Sequence, residues 1–361
     1  MGVDVSRLKL LQGQMKIGIV VPPYITVPPQ RYGGTELFVA QLAEGLKERG
    51  HEPVVYTVGN SQVGCEIRWR NREGRWPVES VLESSLEDLD HCSWACADAA
   101  RDCDVIHLNN APGLNLSRFV RTPFVYTLHH PHEPALSRYY ASFPKVSFVA
   151  ISRRQAEAET MPRLAVIHHG LQMNRYRLEA GARRDYLCFI GRIAPIKGTH
   201  VAIQVARQAG LPLKIGGEIQ PLFRDYWEER VRPQLGRDIE YVGELDLEGK
   251  NELLTGARAL LFPIEWEEPF GLVMVEAMAC GVPVLAFARG AAPEVVRNGI
   301  SGWICRDAAD MARRAASVNL VAEACRAYAE RHFGVERMVG DYIAVYESCL
   351  AAQAQPMQAA S

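Results

Sequence analysis

Short apolar runs alternate along the chain with longer stretches in which apolar positions recur at three- and four-residue spacing, which predicts strands and helices in turn. The first strand is KIGIVV from Lys16, followed by a loop PPYITVPPQRYGG. A helix TELFVAQLAEGLKERG comes next, with Leu37, Ala40, Leu42, Ala43 and Leu46 on one face, Thr35 as its N-cap and Gly50 as its stop. The strand HEPVVYTV closes a crossover, so the sheet is expected to be parallel. DVIHLN, PFVYTLHH, VSFVAIS and LAVIHHG continue the series, with helical VLESSLEDLDHCSWACADAARD among them. These are short apolar runs with β-branched and aromatic residues, as strands buried on both faces are.

The pattern lapses in the arginine-rich LQMNRYRLEAGARRD and then starts again. YLCFIG, LPLKIGG, IEYVGEL and ALLFPI read as strands, with helices from Thr199 to Gln208, near Pro221 to Gln234, and from Asn251 to Ala257. After ALLFPI come an acidic loop EWEEPF, a helix GLVMVEAMA and a strand PVLAF; beyond Cys305 every segment is expected to be helical. The fold class is α/β, two doubly wound Rossmann-like domains. Ligands in such folds bind at the carboxyl ends of the strands.

With 361 residues the chain exceeds one ordinary core, which agrees with two domains. A formal net charge of −2 supplies no basic field, so nucleic acid is not expected as a partner. No apolar run approaches the ~18 residues of a membrane span, and Leu8 to Leu11 is too short for a signal peptide. Cytoplasmic residence is the expectation, with peripheral membrane contact left open. Nine cysteines without a CxxC pair point to reduced, mostly buried thiols.

Candidate chemistry gathers at strand ends. Gly33 and Gly34 precede a helix, either to close over a phosphate or simply to turn the chain. His129, His130, His132 and Glu133 form a polar strand end, which reads as a substrate-facing imidazole, a metal cluster or histidines satisfied by local backbone; adjacent strand residues face opposite sides, which weakens the metal cluster and favours one imidazole facing the cleft. Arg192 and Lys197 in GRIAPIKG suit a diphosphate, although solvated surface charges have the same composition. Glu268 and Glu276 stand either side of seven residues. Each carboxylate can accept two hydroxyls, as a sugar offers, or can simply face solvent. Gly271 opens the helix between them, so the amides of Phe270, Gly271 and Leu272 are free to meet an anion. Glu294 in APEVV reads as a capping residue.

With these motifs assembled, the chain resembles a family 4 glycosyltransferase of the GT-B fold over about residues 15–350. EEPFGLVMVEAMACGVPVLAF carries most of the resemblance, and GGTELFVAQLAEGLKERGHEPVVYT, GRIAPIKG and YVGEL follow in the family's order. The resemblance implies an N-terminal acceptor-side domain over residues 15–170 and a donor-side domain over 171–335, facing a central cleft. Residues 336–361 would form a helix crossing back to the first domain and a frayed tail.

The implied reaction is retaining transfer of a hexosyl unit from a nucleotide-sugar, UDP-linked by preference, to a hydroxyl acceptor. No metal and no cofactor is expected, and the displacement runs on one face with the leaving diphosphate assisting. Carried over by position, His129, Arg192, Lys197 and Glu268 are catalytic. Gly33, Gly34, Arg192, Lys197, Val242, Gly243, Glu268, Phe270, Gly271, Leu272 and Glu276 bind the donor. The doubled histidine leaves open whether His129 or His130 faces it. A non-hydrolysing nucleotide-sugar epimerase on the same fold, or a non-catalytic nucleotide- or sugar-binding protein, would share most of these features.

Overall fold

The computed structural model describes residues 13–78, 80–179 and 185–354. The expected tail beyond residue 354 and part of the arginine-rich linker lie outside them. Two all-parallel sheets divide the chain. The first holds β1 (Lys16–Val20), β2 (Glu52–Tyr56), β3 (Glu66–Arg68), β4 (Val105–Leu108), β5 (Phe124–Leu128), β6 (Ser147–Ala150) and β7 (Leu164–Val166) in the order 3-2-1-4-5-6-7. The second holds β8 (Tyr186–Ile190), β9 (Leu213–Gly216), β10 (Ile239–Gly243), β11 (Ala257–Phe262), β12 (Val284–Phe287) and β13 (Gly302–Cys305) in the order 10-9-8-11-12-13. In register, Gly18 of β1 lies opposite Val54 of β2 and Ile106 of β4. The strand order reverses between β1 and β4 and between β8 and β11, so each sheet has a switch point at which loops diverge and leave a crevice.

Among the α-helices of eight or more residues, α1 (Gly34–Glu48) and α2 (Val81–Ala99) cover opposite faces of the first sheet, and α3 (Pro134–Ala141) lies on the α2 side. The second sheet carries α4 (Thr199–Ala209) and α7 (Ala308–Ser317) on one face. α5 (Leu247–Thr255), α6 (Leu272–Ala279) and α8 (Ala322–Phe333) cover the other. The last helix, α9 (Val335–Ala354), leaves the second unit and packs on α1 with Met338, Val339, Tyr342 and Tyr346 fully buried. Burial of each such side chain contributes roughly 1.5–3 kcal/mol. The approach is close because α1 offers Gly45 there; a Cβ would meet Val339 at 2.5 Å.

Several local expectations are corrected. α1 begins at Gly34 with Gly33 at the cap position and no side-chain cap, so Thr35 lies inside the helix. The Pro221–Gln234 helix is broken: a short 3₁₀ turn, three α residues, a π turn over Trp227–Val231 and a second 3₁₀ turn follow one another, with Pro233 unable to continue the hydrogen-bond ladder. β3 and β13, at the sheet edges, were not expected. Eight of the nine cysteines are buried, and Cys65 is partly exposed.

The chain crosses between the units near Leu171 and returns at Gly334. The two crossings pair directly, Leu171 N to Phe333 O at 2.8 Å and Val335 N to Leu171 O at 3.1 Å. Glu294 adds a clamp: it accepts from the amides of Arg153 and Arg154 at 2.9 and 2.7 Å and from His168 Nε2 at 2.9 Å. It therefore caps a turn of the first unit, not its own helix. Against the upward push of burial, His168 and those amides hold its carboxyl below the usual range.

Candidate active site

A cavity of about 330 Å³ opens between the two units at the carboxyl ends of the strands. Gly33, Gly34, His129, Arg192, Lys197, Glu268, Phe270, Gly271, Leu272 and Glu276 all line it. Val242 and Gly243, the last residues of β10, do not; Glu244 and Leu245, which follow the strand, take their place. Arg192 and Lys197 follow β8 and Glu268 follows β11, so cations and carboxylate flank the second sheet's switch point.

The acidic run is split by its loop. Glu265 and Glu267 are exposed, whereas Glu268 is buried, its Oε2 accepting from Lys197 Nζ at 2.5 Å and from Trp266 Nε1 at 2.9 Å. The Lys197 ammonium also lies 4.5 Å from the Trp266 ring centroid. Gly290, at φ 52°, lets this loop close down, since a Cβ would come within 2.2 Å of the Glu268 carbonyl oxygen.

Arg192 is differently placed. Its Nη1 donates to Gln220 Oε1 at 3.3 Å, its guanidinium lies 5.7 Å from the Phe223 ring, and its Nε is buried with no hydrogen-bond partner. Among the described residues no carboxylate neutralises it. Lys197, expected to be an equal partner for a phosphate, is already ion-paired.

Both helix starts at the cavity lack a side-chain cap: α1 at Gly33, and α6 at Gly271, where φ is 82°. Helices α2, α5 and α7 are capped by Ser80, Asp246 and Asp307. An uncapped start keeps backbone N–H groups available. The two starts approach each other across the cleft, with Leu272 3.8 Å from where a Cβ on Gly34 would lie.

The two adjacent histidines, just past the end of β5, part company. His129 lines the cavity, while His130 turns to the Tyr140 hydroxyl at 2.5 Å and His132 to Glu159 at 3.0 Å. Among the described residues no group of three or more histidines, cysteines or acids is arranged to hold a metal ion. Asn109 spends its amide N–H on Val20 O, so its Oδ1 accepts from His129 Nε2 at 2.8 Å. That fixes the proton on Nε2 and leaves Nδ1 as an acceptor. Burial, reinforced by His130, pushes the His129 ring down to about 3, so it is neutral.

Three contributors were missed. His169 lines the cavity, stacks on His129 with ring centroids 5.6 Å apart, and meets Phe270 edge-on at 5.2 Å. Glu276, nearly fully buried, is held by Tyr176 Oη at 3.0 Å and by Lys250 Nζ at 2.9 and 3.2 Å. The doublet HH before Gly170 was the one signal in sequence for His169; Lys250 and Tyr176 lie in segments that carry no motif.

Residues 174–331 match the family model described as glycosyl transferases group 1, and residues 32–171 that described as glycosyltransferase family 4. The chain is 26% identical over 317 residues to the phosphatidyl-myo-inositol mannosyltransferase of Mycobacterium tuberculosis, covering 80% of this chain and 82% of that one. It is 29% identical over 315 residues to the glycogen synthase of the same species, covering 77% and 72%. Among solved structures, AviGT4, a glycosyltransferase involved in avilamycin A biosynthesis, superposes with TM-score 0.70 at 27% identity, covering 94% of this chain and 98% of that one. The sucrose-phosphate synthase of Thermosynechococcus elongatus shares the fold with TM-score 0.79 at 19% identity, covering 94% and 100%. With both halves matched in order and the cleft between them, the chain is a glycosyltransferase of family 4 with the GT-B fold.

Proposed function

We propose that the enzyme transfers a hexosyl unit from a nucleotide-sugar to an acceptor hydroxyl with retention of anomeric configuration, without a metal ion. The observation that carries this reading is Arg192, a guanidinium without a carboxylate partner among the described residues, lining the same cavity as the uncapped start of α6. A diphosphate supplies the missing negative charge, and more of it as the glycosidic bond breaks. Lys197 would follow by sharing its remaining N–H donors with the phosphate while keeping Glu268 in place. Glu268 would then take hydroxyls of the sugar, and Glu276 those of the ribose. His129 would offer its Nδ1 lone pair near the reacting carbon.

In the displacement the bond between the anomeric carbon and the phosphate oxygen breaks as the bond to the acceptor oxygen forms on the same face. The acceptor's proton passes to the departing phosphate oxygen. No carboxylate in the cavity is needed as a covalent nucleophile. A UDP-hexose is the donor we infer first; HepE, an Anabaena protein of the same fold, with TM-score 0.76 at 20% identity and covering 93% of this chain and 100% of that one, has been solved with UDP and glucose, so the architecture accommodates both.

Nucleoside diphosphates and their hexose conjugates should raise the melting temperature of the full chain. Replacing Arg192 with Ala should cut transfer about 10²-fold, the scale for one preorganised electrostatic contact. Unchanged rates in Arg192→Ala would remove it from the site. Product without any acceptor, detected as an epimerised nucleotide-sugar, would overturn the transfer reading.

A further inference from the structure

Lys250 has no counterpart in the sequence motifs, yet it lines the cavity and contacts both oxygens of Glu276. We propose that Lys250 is a specificity-determining residue, completing with Glu276 a paired donor and acceptor that reads the vicinal diol of the nucleotide's ribose. The proposal deepens the nucleotide-sugar reading and rests on it.

The valences favour such a pair. Glu276 Oε1 already accepts from Tyr176 Oη at 3.0 Å and from Lys250 Nζ at 2.9 Å, which fills its lone pairs. Oε2 accepts only from Lys250, at 3.2 Å, and keeps one lone pair. The ammonium directs two of its three N–H groups at the carboxylate and keeps the third. One open acceptor and one open donor therefore sit side by side on the cavity wall. A single hydroxyl satisfies one of them; two adjacent hydroxyls satisfy both, one donating to Oε2 and the other accepting from Nζ. A carboxylate alone would take two hydroxyls only as an acceptor. The ammonium also supplies the charge that a carboxylate with a side chain 3% exposed needs to stay in place.

The test is calorimetric titration of the full chain with UDP, GDP and ADP and with their 2′-deoxy and 3′-deoxy counterparts. The wild type should prefer the ribonucleotide of its own base roughly tenfold over at least one deoxy form, the scale of one charge-assisted hydrogen bond. Lys250→Met should bring that ratio to within about twofold, and Lys250→Arg should restore most of it. A purely structural lysine would weaken all nucleotides alike and leave the ratio unchanged, and that result overturns the proposal. Lys250→Leu provides the same comparison should the Met variant fail to fold. A wild type that binds no nucleoside diphosphate sinks the nucleotide-sugar reading itself, whereas wild-type binding with an unaltered ratio in the variants sinks only the role of Lys250.

Discussion

Two donors converge on a single oxygen of the buried Glu268, the Lys197 ammonium and the Trp266 indole. Removing the cation leaves a buried carboxylate answered by one neutral N–H. Lys197→Met should therefore lower stability by roughly 3 kcal/mol, the lower end for breaking a buried pair. Adding Glu268→Gln should recover part of that loss in urea unfolding without recovering activity; a double variant no more stable than the single one would show that the pair is not coupled. At this scale the sequence shows what is local. Glu268, Glu276 and the helix between them sit within one short segment, so spacing alone brings them together. Tyr176 and Lys250 reach Glu276 from 100 and 26 residues away, and only the fold makes them neighbours.

Among the elements, α9 reaches deepest into the other unit. Tyr346 Oη meets His107 Nδ1 at 2.8 Å, His107 Nε2 meets Thr127 Oγ1 at 2.8 Å, and Thr127 Oγ1 meets Tyr342 Oη at 2.9 Å. Thr127 lies on β5 two residues before His129, so the helix supports the strand whose end leads to the imidazole. Burial, with a smaller push from His129, lowers His107 from 6.5 to about 3. The folded ring is neutral while the unfolded one gains a proton below 6.5, so its contribution is complete above that pH and is lost as pH falls towards 3. In urea titrations across this window His107→Gln should show a shallower loss of stability than the wild type; an equal slope would exclude His107 as a source. The main strands and helices were legible because they are apolar or periodic. β3, with the sequence EIR at a sheet edge, is neither, and its strand state comes from backbone pairing with β2.

Across the whole molecule, the units touch at the cavity mouth through a short chain of contacts. Trp76 Nε1 donates to Glu218 Oε1 at 2.8 Å, Gln220 Nε2 donates to Glu218 Oε2 at 2.9 Å, and Arg192 donates to Gln220. Tyr32 stacks on Trp76 with centroids 5.3 Å apart, and its amide donates to Glu244 at 3.2 Å. The loop that closes the mouth thus ends on the arginine proposed to hold the phosphates. Trp76→Phe keeps the stack and deletes the indole donor, so water should enter more readily. Donor hydrolysis without acceptor should rise severalfold relative to transfer, measured as free hexose against glycosylated product; an unchanged ratio would mean that this contact does not gate the site. None of it was legible beforehand, because each partner belongs to a loop with no periodicity.

The paired crossings at Leu171 and Gly334 set the mechanics of that closure. A single linker would leave one unit free to swivel about the other in three directions. Two strands bonded side by side act like the two pins of a door: bending about the line through them is soft, whereas twisting or sliding must shear their hydrogen bonds. Any opening of the cleft would thereby be confined to about one degree of freedom, and closing it would return Arg192, Gly34 and His129 to the same positions without a search.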